Sequence, residues 1–147
     1  MFEITGLSVI SAVGERLSEI FPDAKWYREG AADPVYPCVF VRLADFKTKE
    51  DGYGKWWLDY AVNIEYRIEK SPALSDTLLE DLNFAGHSLV SGLTEIFLGT
   101  KPVKVRDARY DIRDSVLKFS AHMRLRGVKA PENTEKMVKL SLSKKLG

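Results

Sequence analysis

Residues 55–69 read K-W-W-L-D-Y-A-V-N-I-E-Y-R-I-E, and their reading decides the fold. The even positions Trp56, Leu58, Tyr60, Val62, Ile64, Tyr66 and Ile68 are apolar or aromatic. From residue 59 the odd positions are Asp59, Ala61, Asn63, Glu65, Arg67 and Glu69, nearly all polar. Successive side chains of a strand point to opposite faces, so this period of two predicts one long half-buried strand. Its even face meets a core and its odd face meets water or a partner. At ~3.3 Å per residue it would span roughly 45 Å, longer than a small isolated core needs.

The residues on either side supply the rest of a sheet. Residues 37–46 (P-C-V-F-V-R-L-A-D-F) are apolar on both parities, with Cys38 and Phe40 on one side and Val39, Val41 and Leu43 on the other. A strand with two apolar faces is covered twice, as an interior strand or by another subunit. Between it and the long strand, residues 47–54 (K-T-K-E-D-G-Y-G) predict an exposed hairpin loop, so the two strands can project as an arm. Upstream, residues 24–28 predict a short strand and residues 29–35 a loop. Leu7, Ile10, Val13, Leu17, Ile20 and Phe21 recur at helical spacing, which predicts an amphipathic helix over residues 5–20 with Thr5 or Ser8 as N-cap. Pro22 ends it, because the residue before proline is pushed out of the α region.

Downstream, Ser71 or Ser75 caps a second helix that has Asp76, Glu80 and Asp81 near its positive end. Its apolar positions Leu78, Leu79, Leu82, Ala85, Leu89, Val90, Leu93, Ile96 and Phe97 predict a helix running to residue 98 and stopping at Gly99. In residues 103–112 the apolar parity changes from odd (Val103, Val105) to even (Ala108, Tyr110, Ile112), which places a bulge near Arg106-Asp107. Arg113-Asp114-Ser115 is turn chemistry. Residues 116–126 then alternate, with Leu117, Phe119, Ala121, Met123 and Leu125 inward and Lys118, Ser120, His122, Arg124 and Arg126 outward. Pro131 opens a lysine-rich ending in which Met137, Val138, Leu140 and Leu142 mark a short helix or strand. A monomer has little use for apolar residues on a terminal arm, whereas an assembling subunit can dock them on a neighbour.

The expected fold is therefore α+β. Its sheet is mainly antiparallel or mixed, in the order α-β-β-β-α-β-β, with two helices packed on one face. Residues 1–130 form the expected single domain and residues 131–147 a C-terminal arm ordered on assembly.

The 147 residues, 45% hydrophobic and 29% charged, suit a soluble domain with its own core. The single Cys38 excludes an internal disulfide and reads as a small buried hydrophobe. The opening M-F-E-I-T-G has no basic run followed by an apolar one, and no apolar run approaches the ~18 residues of a spanning helix, so no secretory leader is expected and the expected location is the cytoplasm. Net charge is +1 but uneven: −3 over residues 1–70, −4 over 71–98 and +8 over 99–147. Such asymmetry steers nucleic acid, brings one copy's basic side to another's acidic side, or offsets neighbouring elements within one chain.

Catalytic chemistry has no candidate set. His87 and His122 lack Cys or His at ligand spacing, and no phosphate-binding glycine loop, G-x-S-x-G or Cys-His signature occurs, so no cofactor, metal or enzymatic activity is expected. Arg106, Arg109, Arg113, Lys118, Arg124 and Arg126 with Trp57 would suit nucleic acid, but Asp59, Glu65, Glu69, Asp111 and Asp114 share their strands. Opposite charges on paired strands read as cross-strand pairs rather than a phosphate groove.

The layout resembles the tail terminator proteins of long-tailed bacteriophages and of prophage-derived tail-like particles. The matching stretches are I-F-P-D-A-K-W-Y at residues 20–27, Y-P-C-V-F-V at 36–41, V-N-I-E-Y at 62–66, V-L-K-F-S-A-H-M-R-L at 116–125 and K-M-V-K-L at 136–140. The resemblance implies a structural subunit forming a ring, usually of six copies. That ring caps the tail tube, stops its polymerisation and offers the surface for head joining. The implied partners are the chain itself, the tail tube protein and a head–tail connector or neck protein. The implied locations are the host cytoplasm during assembly and then the head-proximal end of the tail; no membrane partner is expected, and the opposite charges on paired strands argue against direct nucleic-acid contact. The alternatives are another neck or tail-tube component, or a nucleic-acid-binding module using the basic hairpin of residues 103–126. The family carries no sharp motif. The contact residues expected on physical grounds are Lys49, Asp51, Tyr53, Trp57, Glu80, Asp81, Arg109, Arg113, Arg124, Arg126, Met137 and Leu140.

Overall fold

The computed structural model describes residues 5–30, 32–52, 54–70 and 72–128. Among them the chain forms helix α1 (Gly6–Ile20), strands β1 (Lys25–Arg28), β2 (Cys38–Glu50) and β3 (Lys55–Arg67), helix α2 (Asp76–Gly92), and strands β4 (Glu95–Leu98), β5 (Lys101–Arg113) and β6 (Val116–Val128). The strands lie in one sheet in the order β1-β2-β3-β6-β5-β4. Only β1 and β2 pair in parallel; the other pairs are antiparallel. The α+β class, the mixed sheet and the layer of two helices are as the sequence implies.

The alternation in residues 55–69 becomes the centre of the sheet. Leu58, Tyr60, Val62 and Ile64 are buried, and they lie opposite Leu125, Met123, Ala121 and Phe119 of β6. Both helices press on this face. α1 contributes Val9, Val13 and Leu17 and packs against β1, β2 and β4, while α2 contributes Leu82, Ala85 and Leu89 over β5 and β6. Thr5 caps α1 by accepting from Ser8 N, and Ser75 caps α2 by accepting from Leu78 N at 3.1 Å. The alternative cap Ser71 lies outside the described residues.

Three expectations need correction. First, α2 ends at Gly92 instead of residue 98, and residues 95–98 form β4, so the order is α-β-β-β-α-β-β-β. Leu93, Ile96 and Phe97 keep helical spacing, but Leu93 already leaves the helix (φ −90°, ψ 67°) and Thr94 O accepts from Val105 N. Strand pairing with β5 outweighs the continued spacing, and Phe97 turns out exposed while Ile96 is buried. Leu79 and Val90 likewise flank the buried stripe of α2 and are partly exposed, as is Leu7 on α1. Second, the first half of the loop expected over residues 47–54, residues 47–50, is strand. The β2–β3 ladder continues through Lys47↔Asp59 and Glu50↔Trp56 and leaves Asp51, Gly52 and Gly54 at the tip among the described residues. Third, β2 carries a register shift between Leu43 and Asp45, which turns Phe46 to the helix side, where it stacks on Tyr60 at 4.6 Å.

Other expectations stand. β2 is interior, between β1 and β3. β5 shifts register between Arg106 and Arg109, where Asp107 takes a left-handed φ of 54° that aspartate tolerates better than most residues. Asp114 and Ser115 both have positive φ, the pattern of a two-residue hairpin turn.

Candidate assembly surface

The sheet face away from the helices is polar because the odd residues of β3 and the even residues of β6 point there. Its rows pair charge with charge: Asp59 stands between Lys47 and Arg124, and Glu65 faces Lys118. Arg67 Nη2 donates to Glu65 Oε2 at 3.0 Å, Lys118 Nζ lies 3.9 Å from Glu65 Oε1, and Arg124 Nε lies 3.9 Å from Asp59 Oδ2. Arg113 pairs with Asp111 at 2.7 Å, Arg42 with Glu29 at 3.0 Å, and Arg126 with Asp51 on the hairpin tip. Each of these part-exposed pairs contributes little to stability, about 0–1 kcal/mol. Together they fix which side chain stands where.

At the tip end, Trp57 lies between Lys49 on β2 and Arg126 on β6. The guanidinium carbons of Arg124 and Arg126 each stand 4.4 Å from its ring centre. Cation–π contact of this kind holds the indole and both arginines in one rigid cluster. Tryptophan and arginine are also the residues that dominate protein–protein contacts when a partner covers them. At the other end, a groove of about 830 Å³ crosses the sheet between the loop after β1 and β5, lined by Arg42, Glu65, Arg67, Arg109, Arg113 and Lys118 among others. Arg109 there donates to the Ser120 hydroxyl at 3.3 Å and meets no carboxylate among the described residues.

The helix layer presents a different surface. Glu80 and Asp81 are exposed on the outside of α2, and Phe84, one turn further on, is 75% exposed. Residues 72–98 contain no lysine or arginine.

The expected contact residues therefore separate into groups. Lys49, Asp51, Trp57, Arg124 and Arg126 come together at the hairpin end of the open face. Arg109 and Arg113 line the groove further along the same face. Glu80 and Asp81 lie on the opposite layer, across the sheet. Tyr53, Met137 and Leu140, with the arm of residues 131–147, lie outside the described residues. Sequence reasoning missed Phe84 as a surface residue. Its signal was its phase, since it falls off the stripe of Leu78, Leu82, Ala85 and Leu89.

His87 lies edge-on to Tyr110 at 5.9 Å, and His122 sits on the open face opposite Ala61 and Arg106. No group of three or more His, Cys, Asp or Glu among the described residues could hold a metal ion. The Cys38 thiol is buried, which pushes its pKa up, with the Arg67 charge opposing the shift. No helix among the described residues is long and apolar enough to cross a membrane.

No curated protein matches the chain. A family model described as phage tail terminator protein matches residues 8–135, a span that runs from the first turn of α1 past the end of β6. By that match, the chain belongs to the phage tail terminator family, a structural part of the phage tail.

Proposed function

We propose that the chain is the subunit of a closed ring, of six copies, that caps the tail tube, stops its polymerisation and offers the joining surface to the head and neck. The observation that carries this reading is the placement of two unlike surfaces on opposite layers of one subunit: the open sheet face with its Trp57–Arg124–Arg126 cluster, and the acidic outer face of α2. Ring contacts are heterologous, one patch meeting a different patch on the next copy, and a closed ring needs both on each subunit. The charge pairing across the sheet favours protein contact over a phosphate groove, because the acidic residues there would repel nucleic acid. The partners are further copies of the chain, the tail tube protein and a neck or connector protein. The subunit assembles in the host cytoplasm and ends at the head-proximal end of the tail.

Mass measurement of the purified protein by light scattering, with electron micrographs of the same sample, tests this. The reading expects a discrete species of fixed copy number that appears as closed rings. Stacked open tubes would point instead to a tail-tube component. A strict monomer, alone and in the presence of tail tubes, would overturn the ring.

A further inference from the structure

We infer that the outer face of α2, centred on Phe84, seats the C-terminal segment, residues 129–147, of a second copy of the chain. The inference rests on the ring reading and names one of its contacts. Phe84 points away from the core, and 75% of it is exposed, the largest exposure among the large hydrophobic side chains of the described residues. Glu80 and Asp81 precede it by four and three positions, so the three share one patch of helix surface. Neither carboxylate, nor that of Asp76, pairs with a cation among the described residues. An exposed aromatic ring beside unpaired carboxylates fits a segment that is both apolar and cationic.

On the open sheet face Arg42, Arg67, Arg113, Lys118, Arg124 and Arg126 already face carboxylates of their own chain, so a ring contact between that face and α2 of the next copy leaves the α2 carboxylates to be met by another cationic segment. The sequence beyond Val128 suits that role well. It carries Lys129, Lys136, Lys139, Lys144 and Lys145 against only Glu132 and Glu135. Within it V-K-L-S-L-S, residues 138–143, alternates Val138, Leu140 and Leu142 with Lys139, Ser141 and Ser143. One parity can cover an apolar surface while lysines reach the flanking acids.

Direction favours a second copy, and reach permits one. At ~3.3 Å per residue the segment extends up to about 60 Å, well over twice the length of α2 at ~1.5 Å per residue. The Phe84 patch belongs to the end of the molecule where Asn83 bonds Tyr110, and Tyr110 pairs with Phe119. From Phe119, β6 runs away from that end, and Val128 pairs with Lys55 at the far end of the sheet. The segment therefore leaves the subunit at the end remote from its own Phe84 and nearest to whatever copy approaches the hairpin tip.

The test uses the full-length chain. One variant set reverses the segment (K136E, K139E, K144E and K145E together), a second reverses the helix (E80K with D81K), and a third combines both. Sedimentation velocity reads the association of copies, and thermal melting reads the fold. Each single set is expected to weaken association about tenfold or more, since like charges then oppose across the contact, with melting unchanged. The combined set restores association toward the unmodified protein, and F84D weakens it alone. Unmodified association in both single sets, or no recovery in the combined set, would overturn this contact and leave the ring intact. A change in monomer melting without a change in association would place the segment on its own copy and overturn the second-copy assignment. An unmodified protein that never associates would overturn the ring reading and this contact together.

Discussion

Gly86 sits in the middle of α2, on its buried side, and replacing it by alanine tests how the helix layer is held on the sheet. In an ordinary helix interior this change stabilises by ~1 kcal/mol. Here the added methyl would stand 2.5–2.6 Å from three ring atoms of Tyr110. That is about 1 Å inside the ~3.5–4.0 Å at which carbon atoms pack. The ring cannot slide away freely, because Tyr110 Oη donates to Asn83 Oδ1 at 3.1 Å and His87 lies against its edge. Losing that hydrogen bond costs about 1 kcal/mol, which offsets the gain in helix propensity. Overpacking then remains, at about 1–3 kcal/mol of net destabilisation. For a chain of this length the melting temperature should fall by about 3–10 °C. Thermal and urea denaturation followed by circular dichroism measure it. In a Tyr110→Ala background the same Gly86→Ala change should instead gain ~1 kcal/mol, because the obstacle is gone. A Gly86→Ala protein more stable than the parent would refute the close helix–sheet approach on which the placement of Phe84 depends.

Further outcomes follow from the core and from the open face. Phe119→Ala should cost ~3–5 kcal/mol by chemical denaturation, as for other fully buried aromatics. Trp56→Ala, at a half-buried site near the strand end, should cost less, about 1–2 kcal/mol. Arg124→Glu with Arg126→Glu should leave melting nearly unchanged and hinder assembly, as read by particle mass; a normal ring would exclude the Trp57 cluster from the contacts. Burial raises the pKa of Tyr66, with Asp81, Cys38 and Asp23 adding to the rise. The folded chain then keeps a proton that the unfolded chain releases, so stability is full below the unfolded value of about 10 and falls as pH rises beyond it. Tyr66→Phe should flatten that alkaline loss in melting temperature measured between pH 8 and 11, and an unchanged slope would remove Tyr66 as its source.

How much of this was legible depended on whether a residue's neighbours in sequence were also its neighbours in the fold. β3 and β6 could be read because alternation over many residues has one structural meaning, and the β5 bulge because its apolar parity changes phase at Arg106-Asp107. The β2 shift between Leu43 and Asp45 carried the same signal, Val39, Val41 and Leu43 followed by Phe46, but apolar Cys38 and Phe40 on the other parity hid it. β4 was hidden because Leu93, Ile96 and Phe97 satisfy helical spacing, and only pairing with β5 shows that the strand wins. Charge patterning placed the basic strands and the acidic helix on different elements, yet nothing local could show that they occupy opposite layers. The arginine clasp on Trp57 joins residues nearly seventy positions apart, and the contact of Gly86 with Tyr110 joins two helix and sheet positions that no sequence period links.

The central claim is that this subunit ends tail-tube growth by closing into a ring on the tube. The most direct measurement is electron microscopy of purified tail tube protein polymerising with and without the chain. The account predicts tubes whose growth stops on addition, each with one added ring at a single end. Tubes that lengthen at the same rate, with the chain absent from their ends or spread along their walls, would contradict it.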